Sequence, residues 1–282
     1  MSTAKETKEH PSQGSTEPPI QVIPKESLHR LLRDVKQIMV SPLTENGIYY
    51  QHCEEDLLKG HAMIIGPEDT PYYGGYYFFE LRYPTNYPHS PPVVKFFTQG
   101  DQIRFNPNLY KNGKVCVSLL NTWRGEQWTS CQTITSILLT LCTLLCKNPI
   151  LNEPGVGITH KDFKSYESII AYKNIELSTL HLLNQDKLYY VPWFNMFYEE
   201  MVEHFIKNKD KLKLHLEAKS SEFGIQSATK VKTGLYGMHV SINYSLLVKY
   251  FEKTTKSIKK RLVIFQTKQQ ENEKEQEENQ QL

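Results

Sequence analysis

Apolar positions change period several times along the chain, and each change marks a different kind of element. After Pro24, KESLHRLLRDVKQIM sets Leu28, Leu31, Leu32, Val35 and Ile38 at helical spacing and leaves Arg30, Arg33 and Lys36 on or near the other side. That spacing predicts an amphipathic first helix with one face for a core. Four short runs follow: Ile48-Tyr49-Tyr50, 62–65, 76–82 and 93–97. All are aromatic and β-branched, with Gly, Pro and Asp in the turns between them, which predicts a β-meander. Residues 83–92 (YPTNYPHSPP) hold four prolines, which cannot donate within a strand ladder, so this stretch reads as an extended surface loop.

From Cys131 to Cys146, CQTITSILLTLCTLLC is apolar over one broad face, as expected of a helix laid on a sheet, and Pro149 and Pro154 end it. Further helical patterns run over 163–183, over 193–216 with Pro192 at a first-turn position, and over 241–265, where Leu247, Tyr250, Phe251, Ile258, Leu262 and Phe265 line one side. Residues 1–24 have almost nothing to bury and read as a disordered arm. The stretch 267–282 (TKQQENEKEQEENQQL) is polar low-complexity sequence and reads as a disordered tail or a fraying helix. Strands gathered in one block with helices around them make the expected class α+β.

Composition narrows the function. With 282 residues, 39% of them hydrophobic and 23% charged, the chain has ordinary globular composition and enough length for a sizeable core. Thirty-three Lys and Arg stand against 31 Asp and Glu, so there is no global charge for gripping nucleic acid or an anionic membrane. Lys256, Lys259, Lys260 and Arg261 have no aromatic residues interleaved and precede Glu-rich sequence, so they read as helix surface. The apolar run 137–146 is half of the roughly 20 residues that a membrane helix needs. Five cysteines form an odd, sparse set and MSTAKETKEH has no apolar leader core, so a reducing intracellular compartment is expected.

The candidate chemistry lies in residues 104–116, RFNPNLYKNGKVC. Asn112-Gly113 tolerates positive φ and turns tightly, which returns Cys116 towards the corner Asn106-Pro107-Asn108. A thiolate near an amide donor suits acyl transfer, because the donor can stabilise the oxyanion formed on attack. Against this, most free cysteines fill cores and Asn108 could simply brace the turn. Lys111 and Lys114 beside a loop favour a partly exposed, reactive thiol. No histidine lies between His89 and His160, so a Cys–His hydrolase is disfavoured, though a distant histidine could approach in space. Cys142 and Cys146 stand one turn apart without a further ligand pair, so no metal site is expected, and no cofactor motif is present. Glu153, in NPILNEPG, could be a solvated charge or, beside the thiol, could help deprotonate or orient an attacking amine.

The order of these features resembles the catalytic core of ubiquitin-conjugating enzymes: amphipathic helix, meander, Tyr-Pro…Pro-Pro loop, Pro-Asn corner, cysteine eight residues past the Asn, Trp128, long apolar helix. The resemblance covers about 27–154. FNPNLYKNGKVCVSLLNTW and KNPILNEPG are most similar to the large, C-terminally extended Z-type members, and NYSLLVKYF carries a looser match beyond. It implies a catalytic core over 25–185 and a helical extension over 186–266. It also implies that Cys116 takes ubiquitin or a ubiquitin-like modifier as a thioester from an activating enzyme and passes it to lysine, usually with a ligase. By the same resemblance Asn108 supports the oxyanion or the loop, and Glu153 is the acidic residue beside the cysteine. Arg30 and Arg33 face the activating enzyme, while His89, Pro91, Pro92 and Ser130 meet ligases. The implied setting is the cytoplasm, with the nucleus as a second compartment.

Several positions depart from the family pattern. Asn106 stands where most members have His, Ser118 where many have an acidic residue, and His89 where many have a large apolar residue that ligases grip. Residues 124–127 insert before Trp128. A non-catalytic ubiquitin-binding scaffold of the same fold is the main rival reading.

Overall fold

A computed structural model describes residues 22–223 and 228–280, with side chains through 262. The arm expected over 1–24 thus lies almost wholly outside the described residues. Helix α1 (Lys25–Val40) buries Leu31, Val35 and Ile38 as their spacing predicts, and with them Ser27 and Asp34. The buried Asp34 carboxylate is matched by Arg30 Nε at 3.0 Å and by the Tyr87 hydroxyl at 2.6 Å, as a charge removed from water requires. Leu32 is exposed, so the apolar stripe is narrower than its sequence suggests.

Strands β1 (Ile48–His52), β2 (Lys59–Ile65), β3 (Tyr76–Arg82) and β4 (Val93–Phe96) form one antiparallel sheet in sequential order. Its register sets Tyr50 opposite Ala62, Met63 opposite Phe78, and Phe79 opposite Phe96. Almost every residue of β2 and β3 is buried, which requires cover on both faces. Tyr77 and Phe79 point to one face, where Tyr77 meets Phe105 and Phe79 meets Phe96 with ring centroids 5.8 and 5.4 Å apart.

The C-terminal segment covers the other face. Phe78 stacks on Phe194 at 3.8 Å, Trp193 stands edge-on to Phe78 and Phe97, and Tyr76 donates its hydroxyl to Met201 O at 2.8 Å. The extension is therefore built into the core and is not an appendage.

Helix α2 (Ile134–Leu144) starts in a capping box between Thr133 and Ser136 and buries Ile134, Ile137, Leu138, Leu141 and Leu144. The helical pattern over 163–183 divides into α3 (Phe163–Lys173) and a wider π-helical stretch, Asn174–His181. There the buried Asn174 accepts the Tyr77 hydroxyl at 2.6 Å and donates to Tyr73 O at 2.9 Å. A π turn of this kind departs from the regular helical ladder, and sequence periodicity does not signal it.

Pro192–Phe197 forms a 3₁₀ turn ahead of α4 (Tyr198–Phe223). The helix expected over 241–265 starts later, as α5 (Tyr244–Gln280). Ser241 and Ile242 belong instead to β6 (His239–Ile242), paired with β5 (Thr229–Lys232) through Val231 opposite Val240. Helix α5 also runs through most of the stretch read as a disordered tail or a fraying helix, which agrees with the helical alternative. Glu, Gln and Lys all favour helix, so a polar composition does not forbid one.

On α4, the His204 imidazole lies against Tyr76, with Nδ1 3.2 Å from its hydroxyl. Burial first and Lys207 second push it down from 6.5 to about 4. A folded value below the ordinary one means that the unfolded chain takes up the proton first. Stability from the neutral imidazole is thus complete above about pH 6.5 and lost as pH falls towards 4. The urea midpoint is expected to drop across that window, with about 3 kcal/mol as a ceiling. His204→Gln should flatten that part of the loss, and an unchanged slope would exclude His204 as its source.

Candidate active site

Residues 104–116 fold back on themselves around the Asn112-Gly113 turn. Gly113 takes φ +87, and a Cβ there would meet Phe96 O at 2.8 Å, so both conformation and space call for glycine. Backbone bonds from Tyr110 N to Lys114 O and from Cys116 N to Asn108 O, both 2.9 Å, bring Asn108 and Cys116 side by side. The expected juxtaposition is present.

Two details define it, the first a departure from the expected partial exposure and the second in line with the bracing alternative. First, the thiol is covered: Cys116 is 3% exposed, and its Sγ–H donates to Thr122 O at 2.8 Å. Thr122 Oγ1 in turn donates to Val115 O or Val117 O, 3.0 Å from each, and accepts Val117 N–H at 2.9 Å. The Thr122 carbonyl therefore closes over the sulfur from a loop, 121–127, that is exposed throughout. Second, Asn108 Nδ2 donates to Cys116 O at 2.6 Å and braces the loop. One of its two amide hydrogens is committed there, which leaves the other to give.

The corner is fixed from below by buried amides. Asn106 donates to Tyr72 Oη at 3.1 Å and to Leu144 O at 2.7 Å, and its Oδ1 accepts Asn108 N–H at 2.9 Å. Burial raises the Tyr72 phenol well above its ordinary value, so it stays neutral and can both accept from Asn106 and donate to Phe105 O at 2.6 Å. Arg104 is almost fully buried and gives Nε to Asn106 O and Nη2 to Pro107 O, at 3.1 and 2.6 Å.

Glu153 belongs to the same network at one remove. Its neighbour Asn152 donates to Asn106 Oδ1 at 3.4 Å, and its own Oε2 accepts the Tyr236 hydroxyl at 2.5 Å. That phenol comes from the turn between β5 and β6. Among the described residues no histidine is hydrogen-bonded to Cys116, and no cluster of three or more His, Cys, Asp or Glu could hold a metal. Burial pushes the Cys142 and Cys146 thiols up, which suits them to packing and not to attack.

The residues expected to meet partners fall on one end of the fold. Trp128 Nε1 donates to Pro88 O at 2.6 Å and its ring lies 6.0 Å from Tyr87, which ties the 83–92 loop to the loop before α2. His89 and Ser130 are exposed, Pro91 is half-buried and Pro92 is buried. Arg30 is half-buried. Its guanidinium is spent inside the molecule, on Asp34 and on the carbonyls of Ser130 and Gln132 at 2.6 Å each, whereas Arg33 and Lys36 stay exposed. Being i and i+4 on one helix, Arg30 and Asp34 were always placed to pair.

A family model described as ubiquitin-conjugating enzyme matches residues 30–172, about half of the chain. The chain belongs to the ubiquitin-conjugating enzyme family. Among relatives, it is 35% identical to human ubiquitin-conjugating enzyme E2 Z over 204 residues, which cover 70% of this chain and 57% of that one. It is 44% identical to the probable ubiquitin-conjugating enzyme E2 24 of Arabidopsis thaliana over 117 residues, 39% of this chain and 12% of that one. The solved human ubiquitin-conjugating enzyme E2 G1 is 32% identical over 44% of this chain and 98% of its own, with a TM-score of 0.38. The chain spans a little over half the length of the E2 Z relative.

Helix, antiparallel four-stranded meander and C-terminal helices are the α+β architecture expected for this family, with further C-terminal elements added. Thr122, Arg104 and Tyr236 were not singled out in the sequence. For Thr122 the only signal is its place between the cysteine and the insert; for Tyr236, 83 residues from Glu153, local sequence offers none.

Proposed function

We propose that the chain accepts ubiquitin or a ubiquitin-like modifier on Cys116 from an activating enzyme and transfers it to a lysine, usually with a ligase holding the substrate. The observation that carries this reading is the pairing of Cys116 with Asn108 across a braced turn in a chain of this family. In the first step the Cys116 thiolate attacks the carbonyl carbon of the modifier's thioester on the activating enzyme. A new S–C bond forms, and the activating enzyme's sulfur leaves as thiolate. In the second step a lysine amine attacks the same carbon. The amine loses a proton, the C–S bond breaks, and Cys116 is restored.

Because Thr122 O covers the sulfur, the 121–127 loop opens before either step. Asn108 then supplies its second N–H to the oxyanion while the first holds the loop. Asn108→Ala is expected to keep thioester formation and to slow single-turnover discharge to lysine on the order of 10²–10³-fold. Unchanged discharge would remove the oxyanion role.

His89, Pro91, Pro92 and Ser130 form the ligase surface in this reading, and Arg33 with Lys36 replaces Arg30 as the charged face of α1 offered to the activating enzyme. No described helix is long and apolar enough to cross a membrane. The setting we propose is the cytoplasm, with the nucleus as a second compartment.

The covered thiol also suits a scaffold that binds ubiquitin without accepting it. Failure to form a Cys116 adduct with every activating enzyme and modifier tried would favour that alternative.

A further inference from the structure

The turn between β5 and β6 reaches across the molecule to the thiol-bearing loop, and one tyrosine makes most of the contact. Tyr236 donates its hydroxyl to Glu153 at 2.5 Å, and its carbonyl accepts Lys111 Nζ at 3.0 Å. Its ring lies 5.0 Å from the Arg104 guanidinium, which stacks on Tyr110 at 3.5 Å. Tyr110 and Lys111 lie between Asn108 and Cys116, and Arg104 holds the carbonyls of Asn106 and Pro107. The same residue is thus joined through its hydroxyl to the acidic residue, through its carbonyl to the thiol loop, and through its ring to the residue that fixes the corner.

The backbone at this point is costly. Tyr236 has φ 63 and ψ 0, a left-handed conformation that a bulky side chain adopts only where its surroundings hold it there. Those surroundings are visible: Leu235 N–H donates to Asp162 Oδ2 at 2.8 Å, Arg104 N–H to Met238 Sδ at 3.3 Å, and Tyr166 donates to Arg104 O at 2.7 Å beneath the Tyr236 ring. Burial works to raise the Asp162 carboxyl, but the N–H groups of Leu235 and Gly234 outweigh it and hold the group below its ordinary value. Asp162 therefore anchors the turn as a carboxylate.

We infer that Tyr236 is a positioning residue of the transfer site, supplied by the C-terminal extension, which fixes the Glu153 carboxylate for the incoming lysine amine. This rests on the thioester reading of Cys116. Glu153 bonded at Oε2 alone could turn about its side-chain torsions. The phenol, on a residue anchored through its main-chain carbonyl and its ring, holds it in one orientation and leaves Oε1 to receive the proton that the amine loses.

The experiment is a double-mutant cycle on the full chain, comparing wild type, Tyr236→Phe, Glu153→Gln and the double variant. Thioester formation and discharge to free lysine are measured separately. Tyr236→Phe keeps the ring over Arg104 and the backbone contacts, so thioester formation should be unchanged. The maximal discharge rate should fall about tenfold, a part of the roughly 10²–10⁴-fold that a positioned acid–base group provides, with the half-saturating lysine concentration unaltered. In the Glu153→Gln background the hydroxyl should matter little, because coupled residues are not additive.

Normal discharge by Tyr236→Phe, or equal losses in both backgrounds, would overturn the inference while leaving the thioester reading in place. Absence of a Cys116 thioester in wild type would overturn that reading and the inference with it.

Discussion

Cys116→Ala is expected to abolish the reductant-sensitive adduct completely, and Cys116→Ser to replace it with an adduct that resists thiol reductants but yields to base. The loss is total because Cys116 is the one thiol in the 104–116 turn, and a lysine amine there would give an amide that reductant does not release. Cys142 and Cys146 are raised by burial on or just beyond α2, and an un-ionised thiol is a poor nucleophile. Cys131 is exposed, yet among the described residues no asparagine side chain braces its backbone as Asn108 braces Cys116. The check is a charging reaction with activating enzyme, ATP and ubiquitin, resolved with and without reductant. A reductant-sensitive adduct that survives in Cys116→Ala would place the site elsewhere. The serine oxygen, bound to a carbon in the same position, cannot be displaced by thiol exchange, which is why its ester should persist.

The second large effect is on stability. Phe194 is fully buried, lies nearly parallel to Phe78 with ring centroids 3.8 Å apart, and meets Trp193 edge-on at 4.7 Å. It is the centre of the contact between the sheet and the extension. Phe194→Ala removes a ring from a site closed on several sides, so it leaves a cavity as well as losing buried area. A loss of about 3–5 kcal/mol is expected, seen as a fall in Tm of about 10 °C for a domain of this size. Thioester formation at 25 °C should continue, because the site is held by a separate set of contacts around Asn106 and Arg104. A fall below about 2 °C would mean that the extension does not hold this face of the sheet.

These contrasts show where sequence reasoning reaches and where it stops. Helix α1, the four strands and α2 were legible because each is a local pattern: Leu31, Val35 and Ile38 repeat at helical spacing, and the strands are bounded by turn residues. The return of Cys116 to Asn108 was legible because Asn112-Gly113 dictates a tight turn.

The burial of Cys116 was not legible. It depends on a carbonyl, that of Thr122, and a backbone group carries no residue-type signal. The β5–β6 hairpin was missed because four-residue strands such as TKVK and HVSI are too short for alternation to stand out. Asn174 and the π turn around it answer to Tyr77, 97 residues away, and Glu153 answers to Tyr236. The bonds that hold Arg30 were legible only in part: Asp34 lies four residues on along the same helix, but the carbonyls of Ser130 and Gln132 are about a hundred residues away.

The account turns on whether Cys116 becomes acylated. The most direct measurement is the intact mass of the wild-type chain after incubation with activating enzyme, ATP and ubiquitin, followed by mapping of the modified residue under non-reducing, acidic conditions. One modifier joined with loss of one water, located on Cys116 and released by added thiol, is the expected result. An unmodified chain with every activating enzyme and modifier tried, or an adduct located on any other residue, would contradict it.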